Sequence, residues 1–477
     1  MESIRRFLSR RKANNLKSSV KPSVPTIVAA DGVPATAKQT ISTSITSIPS
    51  PPTPPTDPNI AIIGGGLGGI VLAIGLLRRN IPVHIYESAP SFGEIGAGVT
   101  IGVNAVTALN LISPDLLSAF NTHTTHNESN PSSFLAFRKA TRNGNGDNEL
   151  VFDLKSDESA PNWTKSPTRM AVHRARFLDE IAKLVPEGGV TFGKTLRELA
   201  EDADGVKLAF SDGTEKKYSL VIGCDGVHSV TRKYVHGDGP GPAFSGEYAY
   251  RALVPAKVFQ HAMGYEQAMN GTLYIGNGGT VITYPVEHGR SINMVAIRTR
   301  PGSTWPHKAW LVPSTHEELL ADFEGYDQRL LDLLGRFGTR DKWAIFHYTH
   351  EMEYYKGRVC LLGDSAHATT PHLGNGAGQV MEDAYVLSGL LGTHLPKTEE
   401  DIEKVYKAYD AVRRPRSQQL VRYSHVTGMT YSMQEPGVEG DFEKMRKVLG
   451  ERLRWLLETD LEGHLAEAVA LLESKVD

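Results

Sequence analysis

Hydrophobic and polar positions change rhythm several times along the chain. Asn59–Ile63 is a short apolar run, Leu67–Arg79 places Ile70, Ala73, Ile74 and Leu77 on one face, and Pro82–Glu87 alternates Val83 and Ile85 with His84 and Tyr86. These periods predict strand, helix and strand, with Asn80 ending the helix. Further on, β-type runs recur at Tyr248–Pro255, Gly271–Ile275, Val281–Val286 and Ile292–Arg298, which predicts a mostly antiparallel sheet. Leu453, Leu456, Leu457, Leu461, Leu465, Ala468, Val469 and Leu472 return to helical spacing, so residues 396–477 read as a helical region. Ile60–Leu77 is uncharged over 18 residues and would pass a crude scan for membrane spans, but its clustered glycines point elsewhere, and no integral membrane segment is expected.

Composition changes this picture at one end. The first 58 residues hold nine of the 27 prolines and one glycine, with too few large apolar side chains to offset chain entropy, and are expected to be a disordered tail. Eight Lys/Arg against three acids give residues 1–57 a charge of +5, leaving −8 on the rest of a chain whose formal net charge is only −3. A mildly acidic body argues against nucleic acid as a partner. The basic, Ser-rich start fits a solvated tail on a cytoplasmic protein and also, as the alternative, a mitochondrial transit peptide. Two cysteines, Cys224 and Cys360, cannot make a disulfide framework.

Candidate chemistry concentrates in three clusters. Between the first predicted strand and helix lies Gly64-Gly65-Gly66-Leu67-Gly68-Gly69. In such a G-x-G-x-x-G, Gly64 permits the turn, Gly66 lets backbone amides approach a pyrophosphate at the helix N-terminus, and Gly69 allows close helix–sheet packing. Glu87, 18 residues after Gly69, is placed to accept a hydrogen bond from a ribose 2′-hydroxyl, so the dinucleotide is FAD or NAD rather than NADP. The second cluster is Leu220–Gly226, a buried strand ending at Asp225-Gly226. The third runs Val359–His367 through Gly363-Asp364, then Pro371–Gln379, an apolar strand followed by a glycine-rich loop that opens a helix. An aspartate there can hold a polyol hydroxyl, and loop amides can bond a flat heteroaromatic ring; Asp364 as an ordinary N-cap is the plainer alternative.

These three ordered motifs, across about residues 59–475, resemble the single-component FAD-dependent aromatic hydroxylases of the para-hydroxybenzoate and salicylate hydroxylase type. Gly93–Gly98, the His173-Arg174-x-x-Phe177-Leu178 helix start, Ala249-Tyr250-Arg251 and the Tyr354–Ala384 block are similar to the salicylate-hydroxylase branch and its fungal polyketide-modifying relatives. The resemblance implies an α/β fold: a Rossmann-like FAD-binding domain assembled from 59–125, 166–240 and 340–395. A mostly antiparallel β-sheet substrate domain from 126–165 and 241–339 is inserted in it, and C-terminal helices follow. It implies Glu87 as the adenosine-ribose ligand, Ala97 and Gly98 along the flavin, and Arg174 near the pyrophosphate. Asp225 would serve FAD and transient NAD(P)H, Asp364 the ribitol, and the amides of Gly376 and Ala377 the ring edge. FAD is the expected cofactor, with NADPH or NADH as transient co-substrate. No second G-x-G-x-x-G follows a strand, in keeping with a family that has no separate nicotinamide domain.

The implied reaction spends NAD(P)H and O2 to hydroxylate an electron-rich ring, a small phenolic or benzoate-like substrate. In related fungal dearomatising hydroxylases an Arg and a Tyr position the phenolate, which makes Arg251 and Tyr284 the catalytic candidates here. Arg251 in a structural ion pair and Tyr284 as a core aromatic are the plainer alternatives. His372 is either a proton shuttle or a loop histidine satisfied by its neighbours. Departures from the family pattern, His347 where an acid is usual and Leu373-Gly374-Asn375 for Gln-Gly-Ala, put salicylate itself in doubt as substrate. No metal is expected, because His123/His126 and His347/His350 lack a third ligand. Arg413-Arg414-Pro415-Arg416 reads as a solvated helix end, and the assembly as monomer or homodimer. A flavoenzyme that inserts no oxygen and a flavin-free binding protein resembling GDP-dissociation inhibitors remain as alternative functions.

Overall fold

The computed structural model describes residues 60–93, 98–128, 132–155 and 169–474; the expected tail, 1–58, lies outside them. Ile60–Ile63 pairs in parallel with Val83–Tyr86 on one side and Leu220–Gly223 on the other, and Leu220–Gly223 pairs in parallel with Val359–Leu361. With Tyr355–Lys356 and Val190–Thr191 at the edges these make a six-stranded sheet. Ile60, Ala61 and Ile62 are wholly buried because the sheet is covered on both faces, so the run is continuously apolar rather than alternating. Ile60 and Ile62 face the helices, while Ala61 and Ile63 pack with Leu199, Val206 and Leu208 of a three-stranded antiparallel sheet, Leu196–Tyr218, on the other side.

Helix Leu67–Leu77 lies against helix Gly376–Thr393, and two glycines set how closely. A Cβ on Gly68 would lie 2.7 Å from Val380 Cγ1, and one on Gly75 would lie 2.7 Å from Ser388 Oγ. The uncharged stretch Ile60–Leu77 is therefore a buried strand and helix. No helix among the described residues is long and apolar enough to cross a membrane.

The second large sheet has eight strands in the order Leu311–Pro313, Asp341–His347, Ala243–Pro255, Ser291–Thr299, Gly279–Val286, Thr272–Gly276, Ser133–Arg142 and Asn148–Lys155. Its pairs are antiparallel except Thr272–Gly276 with Ser133–Arg142. One expected boundary is corrected. Asp341–His347 falls in the piece 340–395 that the resemblance gives to the FAD-binding domain, but it hydrogen-bonds to Ala243–Pro255 inside the large sheet. A small sheet, Gly98–Ile101, Met170–His173 and Thr125–His126, completes the set.

The C-terminal region is three helices, Glu399–Tyr431, Phe442–Leu457 and Leu461–Glu473. The first starts in a capping box of Thr398 and Asp401 and runs through Pro415. The reading of Arg413–Arg416 as a solvated helix end is overturned: Arg413 is 0% and Arg416 8% exposed. Both reach across to helix Gly376–Thr393. Arg413 donates to Glu382, Asp383 and Gln379, and Arg416 donates to both carboxylate oxygens of Glu382.

Candidate active site

The carboxyl ends of Ile60–Ile63 and Leu220–Gly223 lie side by side, and at two of the glycines that follow the first strand nothing larger fits. A Cβ on Gly64 (φ +107°) would sit 2.3 Å from the Cys224 carbonyl oxygen, and one on Gly69 would sit 2.0 Å from the Gly64 carbonyl oxygen. At Gly66 the space is open, the nearest atom being Arg174 Nη2 at 3.9 Å. Gly66 caps the 11-residue helix Leu67–Leu77 without a side-chain hydrogen bond, so the first amides of the helix face that opening. Glu87 stands beside it: its Oε2 accepts from Gly65 N at 2.6 Å, and its Oε1 from Ala89 N at 2.7 Å. Arg174 begins helix Arg174–Ala182; burial lowers its pKa, and the nearby Asp364 carboxylate opposes that while Arg251 adds to it.

Gly363, with φ +72°, and not Asp364 caps the short helix Asp364–His367, and the Asp364 side chain is exposed at the edge of a cavity. Helix Gly376–Thr393 likewise begins without a side-chain cap, because the Asn375 amide is turned inward to Asn104. Gly376 and Ala377 are half-buried at this open end. The preceding loop is tied down where Thr100 Oγ1 donates to Gly374 O at 3.2 Å. Together these features form an open cradle: Gly64 and Gly69 with no room for a Cβ, two helix N-termini without side-chain caps, the Glu87 carboxylate on one side and Arg174 near Gly66.

Asp225 is bonded within its own turn. Its Oδ1 accepts from the hydroxyls of Ser229 and Thr231, both at 2.6 Å, and its Oδ2 from Val230 N at 2.8 Å and Thr231 N at 3.0 Å. It therefore shapes the turn into helix Val230–His236. Arg232 from that helix donates to the Asp364 and Ser365 carbonyls, locking the second motif to the third. Ala97 lies outside the described residues. Gly98 opens the strand Gly98–Ile101 at the cavity wall, where a Cβ would come within 2.9 Å of Tyr284 Cε2.

The cavity, about 730 Å³, joins the Asp364 and Pro371–Gly374 loops to the inner face of the eight-stranded sheet. Its aromatic wall includes Trp310, stacked on Phe346 at 3.6 Å, and Trp343. Arg251 and Tyr284 both line it. The Arg251 guanidinium lies over the Trp343 ring at 4.6 Å and its Nε has no hydrogen-bond partner. Among the described residues no carboxylate lies within ion-pair distance of it, so the alternative of a structural ion pair has no partner there. Tyr284 is 7% exposed and its hydroxyl donates to Gly98 O at 2.8 Å. Burial raises its pKa, and Arg169 and Arg251 act against that rise.

His372, also lining the cavity, has its Nε2 at 2.9 Å from Glu247 Oε2, with both side chains 2% exposed. It is thus a histidine satisfied by a neighbour. His367 Nε2 is 2.6 Å from Asp383 Oδ2, and His347 stacks on His425 at 4.6 Å. No group of three His, Cys, Asp or Glu side chains able to hold a metal is found among the described residues. The sequence reading missed Arg169, Trp343 and Glu247. Arg169 follows a run of polar residues and precedes an apolar strand, which reads as a solvated strand end. It lines the cavity instead.

Comparison with known proteins agrees with this arrangement. A family model described as an FAD binding domain matches residues 57–424. The chain is 38% identical over 432 residues to 6-methylsalicylate 1-monooxygenase from Aspergillus terreus, covering 88% of this chain and 93% of that protein. It is 35% identical over 427 residues to salicylate hydroxylase from Pseudomonas putida, covering 86% and 93%. A solved salicylate hydroxylase substrate complex superposes with a TM-score of 0.75 at 30% identity, covering 88% of this chain and 98% of that one. The three motifs, the cradle they build and these relatives give one answer: the chain belongs to the FAD-dependent aromatic hydroxylases of the salicylate hydroxylase type.

Proposed function

We propose that this enzyme uses NAD(P)H and O2 to hydroxylate a small 2-hydroxybenzoate-like phenol. The observation that carries the reading is Arg251, a cation without a carboxylate partner among the described residues, held in an aromatic-walled cavity beside the flavin cradle. At about 730 Å³ the cavity falls within the roughly 300–1,000 Å³ typical of small-molecule sites. FAD, when bound, supplies two-electron transfer from NAD(P)H and the activation of O2. One oxygen atom enters the ring and the other leaves as water.

The residues of the chain do the rest. Glu87 holds the adenosine ribose, Asp364 the ribityl hydroxyls, and the amides at Gly376 and Ala377 the ring edge; Arg174 offsets the phosphate charge. Asp225 maintains the loop that Arg232 ties to Asp364. Arg251 favours the phenolate over the phenol, because a guanidinium in a poorly solvated site stabilises an anion strongly. The phenolate then feeds electrons to the attacked carbon. Tyr284 lines the same cavity and helps to position the phenolate ring, while its hydroxyl bonds Gly98. If the attacked carbon bears the carboxylate, CO2 leaves and its bonding pair returns to the ring.

The test is to screen phenolic acids and larger polyketide phenols for stimulated NAD(P)H oxidation under ¹⁸O2, with NADH and NADPH compared. Product carrying one ¹⁸O per NAD(P)H consumed is expected; product without label overturns the hydroxylase reading. Imaging a fusion of residues 1–58 to a fluorescent protein decides between cytoplasm, the expected location, and mitochondrion.

A further inference from the structure

A second arginine in the cavity is more deeply buried than Arg251. Arg169 is 5% exposed, and its guanidinium lies 4.8 Å from the centre of the Tyr284 ring and 5.5 Å from that of Phe134. Its Nε has no hydrogen-bond partner, and among the described residues no carboxylate comes within ion-pair distance. Arginine does not shed its proton in such a place. A buried cation that meets no carboxylate among the described residues is costly to keep, and an anion entering the cavity would offset its charge. Arg169 lines the cavity, which gives such an anion a route to it.

A glycine makes room for it. A Cβ on Gly271 would lie 2.7 Å from Arg169 Cδ and 2.9 Å from its Nε, although Gly271 needs no unusual backbone angle. Arg169 lies over the Tyr284 ring and Arg251 over the Trp343 ring, and both line the cavity, which therefore offers two cations. A monoanionic phenolate engages one of them. A ring that carries both a phenolic oxygen and a carboxylate engages both.

We propose that Arg169 is the residue that holds the carboxylate of the substrate, with Gly271 providing the space for it, while Arg251 attends the phenolic oxygen. This assignment rests on the hydroxylase reading only for the identity of the ligand. Its test is equilibrium binding to the oxidised, FAD-loaded enzyme, which needs no turnover, so a failure of oxygen insertion leaves the readout intact.

2-Hydroxybenzoate and its neutral isostere 2-hydroxybenzamide are titrated by calorimetry and by perturbation of the flavin spectrum. The parent enzyme should prefer the carboxylate by about tenfold or more, as expected for a charge-assisted hydrogen-bonded pair. Arg169→Gln should abolish that preference, Arg169→Lys should keep part of it, and Gly271→Ala should lower it without removing any charge. Flavin content and melting temperature serve as checks on folding, and if Arg169→Gln does not fold, the Lys and Gly271→Ala variants carry the test. Equal affinity of the parent enzyme for the two ligands, or a preference that survives in Arg169→Gln, overturns the proposal.

Discussion

Arg413 and Arg416 lie on helix Glu399–Tyr431 and are almost wholly buried, as is Arg169 beside the cavity. Their surroundings are opposite. Arg413 is ringed by Glu382, Asp383 and Gln379, and Glu382 is further bonded by Arg416, Asn104 and Gln379. Burial works against the charge of Arg413, yet the two carboxylates hold its pKa above the ordinary value; burial likewise raises Glu382, and the two arginines more than reverse it. Arg169 and Arg251 have aromatic rings where Arg413 has carboxylates, and burial lowers the pKa of both. A buried arginine whose charge is met inside the chain belongs to the architecture, here joining the C-terminal helix to the helix that begins at the flavin loop. One that meets no carboxylate among the described residues and lines a cavity is, on the proposal above, set to receive a ligand.

The strongest test of that contrast is stability. Arg413→Ala leaves Glu382 and Asp383 partly uncompensated and should cost about 3–5 kcal/mol, enough to lower the melting temperature sharply or abolish soluble expression. Arg169→Gln or Arg251→Gln should cost about 1 kcal/mol or less, since each removes a buried charge that meets no carboxylate among the described residues. Denaturant unfolding of the three variants reads the difference, and equal losses would erase the distinction between the two groups.

Next in size is catalysis. Arg251→Ala should lower kcat/KM by about 10–100-fold while bound FAD is retained, since a hydrogen bond to a charged group is worth about 1.5–3 kcal/mol. Loss of flavin from that variant would place Arg251 in the cofactor cradle instead. A smaller effect is expected at the other end of the cradle. Glu87→Ala should weaken FAD binding by about tenfold, read as flavin lost on gel filtration, because one charged acceptor is removed while the glycine floor and helix N-termini stay in place.

The remaining test concerns acid. Burial brings His347 from 6.5 down to about 4, with His425 adding to the fall, and burial also brings His350 to about 4. Unfolded histidines take up protons near 6.5 and these two do not until about 4, so between those values the unfolded chain binds more protons and stability declines as pH falls. Melting temperatures from pH 7.5 to 4.5 should show this slope, and His347→Asn should make it shallower.

Much of the cradle is legible in the chain because it is made of local backbone geometry. Gly64 and Gly69 admit no side chain, and their spacing along strand, turn and helix is visible without knowing what packs against them. Glu87 is readable for the same reason, lying one strand further on. The cavity is less so. Tyr284 and Arg251 enter through resemblance, and Arg169 is invisible because its environment comes from Gly271, Phe134 and Tyr284, far away in sequence. The same blindness turned Arg413–Arg416 into a solvated helix end: polarity reads as exposure when the carboxylates that meet it lie some 30 residues upstream. Asp341–His347 was drawn into the wrong sheet because hydrogen-bonded pairing leaves no mark on the strand itself.

By itself the sequence determined the strand–helix–strand that holds a dinucleotide, the order of the three flavin motifs, and the family they belong to. Each depends on periodicity and on glycines that a short stretch of backbone demands. Only the tertiary structure decided which arginines are neutralised and which wait in a cavity, because the energy of a buried charge is set by distant side chains that folding brings within a few ångströms of it.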